Sequence, residues 1–260
     1  MTTFASDGFL SDEIVGYEAD IDARYREKWQ LAGAANQLAH TIVFSIQIQT
    51  DRLHDLLLAA LLARQTGTFQ AFLLLARKGL IHQSEMIVRN LAESMFIVGA
   101  IRKDTGFADR FVLADEISRK RSLIRLNQDR QRRGEQPDEQ AVAVIAELEG
   151  RIRNGKLEQP TTERIAEIAG LSSYYDTLYG LFSLAVHSSS RSLDKAIRAD
   201  STGKVIAIEY GPEVEGFDMH FDYAISMALY VLHEVAQHFG IDVRPIEELQ
   251  KRNDQLAGNA

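Results

Sequence analysis

Four prolines in 260 residues, Pro137, Pro160, Pro212 and Pro245, are the strongest constraint on how this chain can fold. Proline lacks a backbone N–H and clashes with the preceding turn, so helices run uninterrupted only where it is absent. Between the prolines, apolar residues recur mostly at steps of three and four, which places them on one helix face. Each proline falls where a helix is expected to start or stop. The expected fold is therefore all-α, a multi-helix bundle in a single domain spanning 1–260.

The pattern predicts a first helix over Ser11–Leu31, with Ser11 as N-cap followed by Asp12 and Glu13, which suit the positive helix N-terminus. A second is expected over Ala34–Arg64, ending near "RQTGT", a third over Phe69–Lys78, and a fourth over Leu80–Lys103, with Gly79 as a kink or cap between the last two. Helices over Phe107–Arg133 and Asp138–Asn154 form a protruding charged hairpin, 107–154. The second carries Val142, Ile145, Leu148 and Ile152 at helical spacing. After "GKLEQPTTE" come a short helix, "RIAEIAG", and a longer one, "SSYYDTLYGLFSLAVHSS". The segment "GKVIAIEYGP" alternates as a strand does and needs a pairing partner, either a neighbouring short segment or a second subunit. A last long helix is expected over Asp218–Phe239, stopped by Gly240, and the tail 250–260 is expected to fray.

A hydrophobic content of 45% is ample for a core, and the absence of cysteine excludes disulfides, zinc ribbons and thiol nucleophiles. The acidic start lacks the basic and apolar regions of a signal peptide. The longest apolar stretches are broken by charges short of the ~20 residues that a membrane span needs. A cytoplasmic protein without membrane partner, metal or cofactor is expected. The net charge of -8 argues against a surface that binds nucleic acid as a whole. Within 118–134, however, Arg119, Lys120, Arg121, Arg125, Arg130, Arg132 and Arg133 face only Asp129. Such a run is a solvated face, a homo-oligomer contact or a hold on RNA.

Three motifs invite chemistry and carry little weight. In "HEVAQH", His233 and His238 are five residues apart, so they point about 140° apart on a helix, whereas a zinc protease needs i, i+4. Glu234 and His238 are then expected to be a surface pair. "ERIAEIAGLSSYYDTLYGLF" has the outline of a helix-turn-helix, but its second helix carries no lysine or arginine, so sequence-specific DNA reading is not expected. "RKGLIH" meets the Arg-to-His spacing of the helical HEPN ribonucleases through Arg77 and His82; the spacing alone carries almost no weight and Gly79 threatens the continuous helix that it needs, so an HEPN-like ribonuclease stays as an alternative only because the helical build is compatible.

A polar ridge survives this filter. In "GLIHQSEMIVRNLAESMFIVGAI" the apolar residues cover most of the circumference, as in a buried helix, while His82, Glu85, Arg89 and Glu93 lie within about 60° of one another. Arg89 has a carboxylate one turn before it and another one turn after. In "YYDTLYGLFSLAVHSSSR", Tyr175, Tyr179, Ser183 and His187 recur every fourth residue, drifting about 40° per step. Packing ridge against ridge satisfies both sets of polar groups. The cluster is then a structural network or a site for a small anion, completed by His187 near a helix end and by Arg191.

At these residues the chain resembles a family of helical bacterial proteins known only as a domain of unknown function. The likeness covers about Asp51–Ser189 and rests on "GLIHQSEMIVRNLAESMFI" and "IAEIAGLSSYYDTLYGLFSLAVHSS". It implies that Arg89, Glu93, Tyr179, Ser183 and His187 belong to one site, and that the helix-turn-helix look-alike is core. It implies no activity. The rival to a ligand-binding or structural role is a nuclease-like stress or phage-defence effector, with His187 as acid/base, Arg89 or Arg191 on phosphate and Arg119–Arg133 holding RNA. If Glu93 is left buried and unpaired, Arg89→Ala is expected to cost about 3–5 kcal/mol in chemical denaturation.

Overall fold

In the computed structural model, which describes residues 1–155, 157–186, 193 and 196–258, helices dominate. A short α1 (Phe4–Asp7) and a 3-10 turn lead into α2 (Ile14–Arg24), α3 (Arg26–Ser45), α4 (Leu53–Arg77) and α5 (Ile81–Lys103). The expected gap between Leu31 and Ala34 is absent, and the break falls at Tyr25 instead (φ −105°, ψ 28°). The Tyr25 hydroxyl accepts the Phe217 N–H at 3.1 Å, so a tertiary contact holds this boundary. The expected second helix is likewise split at 46–52, while α4 runs straight through Gly67. Burial of Leu58, Leu62, Phe69 and Phe72 along α4 outweighs the roughly 1 kcal/mol that a helical glycine costs.

Gly79 ends α4 as the sequence predicts. At φ +73° its N–H donates to the Ala76 carbonyl, and the Leu80 N–H donates to that of Leu75, the paired bonds of a left-handed cap. Helix α5 then turns back and packs on α4 on one side; α8 (Thr162–Ala169), α10 (Gly180–Val186) and α11 (Asp218–His238) cover it elsewhere. Val88, Leu91, Met95, Phe96, Val98 and Ile101 of α5 are all buried. Aromatic edges knit α3, α4 and α11 together, with the Phe221 ring 4.8 Å from that of Trp29 and 5.4 Å from that of Phe72. An ion pair between Lys28 and Asp222 is buried across α3 and α11; burial pushes the Asp222 carboxyl up and Lys28 opposes it.

The charged hairpin forms as expected. Helix α6 (Phe107–Arg132) enters the core with Phe107 and then pairs with α7 (Glu139–Gly155), burying Ala114, Ile117, Ala141 and Leu148 outside the main core cluster. Asp138 starts α7 by accepting the Gln140 and Ala141 N–H groups, and its own N–H donates to the buried Asn127. Thr161 caps α8 in the same way, and Gly170 ends it at φ 68°. The strand is matched within the chain. β1 (Ile197–Ala199) and β2 (Val205–Ile208) pair antiparallel with one irregularity, and most of their residues are exposed.

Helix α11 ends before Gly240, as predicted, but the tail does not fray. It forms α12 (Arg244–Gly258), with Pro245 in its first turn. Residues 259–260 lie outside the described residues. Buried Asn253 interrupts the apolar pattern of α12, and its amide donates to the Asp222 carbonyl at 3.0 Å and to Ser226 Oγ at 2.9 Å. Among the described residues one helix, α4, is long and apolar enough by length and composition to cross a membrane; here Leu58, Leu62, Phe69 and Phe72 of that helix lie in the protein core.

Two glycines should respond to alanine with opposite sign. At Gly79 a Cβ would stand 2.9 Å from the Glu213 backbone and the φ is positive, so Gly79→Ala should cost about 2 kcal/mol or more. Gly33 is helical and exposed, with nothing beyond its own helix within 4 Å, so Gly33→Ala should gain about 0.5–1 kcal/mol. Urea denaturation of both variants checks the pair.

Candidate functional site

The two polar ridges meet. Arg89 and Glu93 sit one turn apart on α5, and Tyr179 comes from the segment that opens α10. Arg89 Nη2 donates to the Tyr179 hydroxyl at 2.7 Å, the hydroxyl donates to Glu93 Oε1 at 2.8 Å, and the ion pair closes the triangle at 3.2 Å. The guanidinium carbon lies 4.9 Å from the Tyr179 ring centre, over its face. The site is half-sheltered: Tyr179 is 9% exposed, and the Arg89 and Glu93 side chains 21% and 36%.

The helix carrying Tyr179 is not regular. After a short α9 (Ser172–Tyr174) the backbone widens into a π turn over Tyr175–Tyr179, closed by Gly180 N–H donating to the Tyr175 carbonyl. Such turns are rare and concentrate at functional sites. Widening the turn brings fourth-residue neighbours nearer to one line, and the Tyr175 and Tyr179 rings stack at 5.1 Å and 19°. Both also touch Phe96, with ring centres 6.4 and 6.1 Å away.

Two polar atoms here lack a protein partner among the described residues: Arg89 Nε and Ser183 Oγ, both buried. Ser183 lies one turn beyond Tyr179 on the same helix. His187 and Arg191, the remaining sequence candidates, lie outside the described residues.

Glu85, expected to share Arg89 with Glu93, turns to His82 (3.6 Å) and His220 (3.4 Å). His220 was not anticipated. It is buried on α11, its Nδ1 is 3.0 Å from the Gly216 carbonyl and its ring packs 5.6 Å from Phe182 of α10. A carbonyl can only accept, so Nδ1 donates there and Nε2 is the nitrogen that faces the Glu85 carboxylate. The sequence carried a signal for it: His220 interrupts the apolar face formed by Phe217, Phe221, Ala224 and Ala228, and a polar residue on a core face needs a partner.

The rejected motifs resolve in detail. His238 and Glu234 do not bond to each other as expected; Arg102 of α5 joins them, with Nη1 3.2 Å from His238 Nδ1 and Nε 3.3 Å from Glu234 Oε2. His238 Nε2 meets buried Asp55 at 2.7 Å, so this imidazole donates to a carboxylate and accepts from a guanidinium. Among the described residues, no group of three or more histidines or carboxylates is placed to hold a metal ion. Arg77 and His82 fall on different helices and pair with Asp22 and Glu85. Ile165, Ala166, Ala169 and Leu178 of the helix-turn-helix look-alike are buried in the core. On the basic hairpin, Lys120, Arg130 and Arg133 are taken up by Glu149, Glu135 and Asp129, and Arg121 by Gln159; Arg119, Arg125 and Arg132 are exposed without partners among the described residues.

Partial exposure lowers the cost expected for losing Arg89. Glu93 can rehydrate, so Arg89→Ala should destabilise by about 1–2 kcal/mol rather than 3–5. Tyr179→Phe should cost about 1 kcal/mol, because it removes one hydroxyl that donates and accepts. A double-mutant cycle by chemical denaturation should give a coupling above about 0.5 kcal/mol, and additive losses would show that the triangle does not act as a unit.

No curated protein and no solved structure matches the chain. The profile of a family of unknown function, DUF5677, matches residues 55–205. That span takes in α5, the hairpin, the π turn and β1, and thus every described member of the Arg89 cluster. It is more than half of the 260 residues, and on that match the chain belongs to the family of unknown function DUF5677.

Proposed function

We propose that the Arg89–Glu93–Tyr179–Ser183 cluster binds the anionic group, a carboxylate or phosphate, of a small ligand. One observation carries this reading: Arg89 Nε and Ser183 Oγ are buried hydrogen-bonding groups with no partner among the described residues. A buried unsatisfied donor costs roughly 1–3 kcal/mol, so a chain that keeps two at one helix interface is better explained if an acceptor arrives there. Glu93 and Tyr179 both engage Nη2 of the guanidinium and leave its buried Nε without a partner among the described residues. His187 and Arg191 are the further residues we assign to the site from sequence.

Inorganic phosphate is the simplest probe. A ligand at a hundred times its Kd stabilises the folded state by about 2.7 kcal/mol. For a chain of this size that is a rise in Tm of roughly 5–10 °C. Phosphate or sulfate should raise the Tm of the wild type and not that of Arg89→Ala/Ser183→Ala. An equal rise in that variant, or none in the wild type with phosphate, sulfate or acetate, overturns the reading.

The nuclease-like alternative draws on three arginines of the basic run, Arg119, Arg125 and Arg132, which have no partner among the described residues. If they hold RNA, log K should fall against log salt with a slope of about −2, three phosphates at ~0.7 each. His187→Ala should then abolish RNA cleavage while leaving Tm unchanged. A salt-independent or absent RNA complex removes this alternative.

A further inference from the structure

His233 and Glu234, the first half of the failed zinc motif, open onto a different feature. They lie with Tyr230 along one stripe of α11, which together with Tyr174 of α9 and the facing side of α12 lines a cavity of about 680 Å3. That is within the range of small-molecule sites. Its floor is apolar, from buried Leu229 and Ile246. Gly99 of α5 makes room for one wall: a Cβ there would stand 2.8 Å from the Tyr230 hydroxyl.

Glu234 is held by Arg102, and Ser226 and Gln250 bond to each other, while four other polar side chains around this space are uncommitted. Neither the Tyr174 nor the Tyr230 hydroxyl has a hydrogen-bond partner among the described residues, and burial pushes the Tyr230 phenol up to about 12, so it stays a neutral donor. The His233 Nδ1 is 3.8 Å from Glu234 and its Nε2 3.9 Å from Glu247, both beyond hydrogen-bond reach. Lys251 stands exposed at the rim without a partner among the described residues. A purely cationic ligand would be opposed by Lys251, and a purely anionic one by Glu247 and Glu234. A flat ring with both donors and acceptors on its edge matches two phenols and an imidazole, and an apolar floor with tyrosine walls suits its faces.

We propose that this cavity binds a planar nitrogen heteroaromatic of the nucleobase type, its ring against Tyr174 and Tyr230, its polar edge on His233, and a phosphate substituent on Lys251. The inference is independent of the Arg89 cluster, since none of Arg89, Glu93, Tyr179 and Ser183 lines this cavity. Calorimetric titration of the full chain with adenosine and with adenosine monophosphate tests it. Saturable binding of both is expected, tighter for the monophosphate. Lys251→Ala should remove that difference and leave adenosine binding in place. Tyr174→Ala and His233→Ala should each weaken both probes by about tenfold or more. His233 is half-exposed, so its variant keeps the test decisive if Tyr174→Ala does not fold. Absence of saturable binding to adenosine and to all four ribonucleoside monophosphates overturns the proposal, as does unchanged affinity in His233→Ala.

Discussion

Helix α5 is enclosed by other elements, and the rest of the structure answers to that. A helix buried around most of its circumference cannot leave polar side chains to water, so each one must find a partner on whichever helix covers it. Ser84 donates back to the Leu80 carbonyl within its own helix. Glu85 is met by His220 of α11, Arg89 and Glu93 by Tyr179, and Arg102 by Glu234, Gln237 and His238. These contacts key α5 to its neighbours at a defined register, which an apolar interface alone would hold less uniquely.

The contrast between α5 and the α6–α7 hairpin is instructive. The hairpin has its own small seam of Ala114, Ile117, Ala141 and Leu148, and its charges pair mostly with each other across or along the two helices. Exposed pairs of this kind contribute little to stability. Its dense charge therefore marks a solvated outgrowth, and the arginines left over on it are the ones with capacity for a partner. Around α5 charge is sparse, and within the ridge that joins it to the Tyr179 segment Arg89 Nε and Ser183 Oγ are buried without a partner among the described residues.

Much of this was legible beforehand. Helices over 81–103, 107–132, 139–155 and 218–238 follow from apolar periodicity, with Gly79, Gly134 and Gly240 ending three elements at positive φ. The Arg89–Glu93–Tyr179 contact followed from asking which polar residues share a face on two apolar helices. The errors share a cause. The break at Tyr25, the continuity of α4 through Gly67 and the ordering of α12 around Asn253 are each set by contacts with distant residues, and local propensity is too weak to override them.

The sequence by itself determined the helical class, the capping points, the separate charged hairpin and the pairing of two polar ridges, because all of these rest on periodicity and on the backbone chemistry of proline, glycine and capping residues. Only the tertiary structure decided which carboxylate Arg89 takes, that His220 claims Glu85, that Arg102 bridges His238 and Glu234, and that Tyr174 lines the α11–α12 cavity while Tyr175 stacks on Tyr179. Those outcomes depend on distances between residues far apart in the chain. A helical wheel assigns each side chain a direction, and the packing of whole helices decides what stands there.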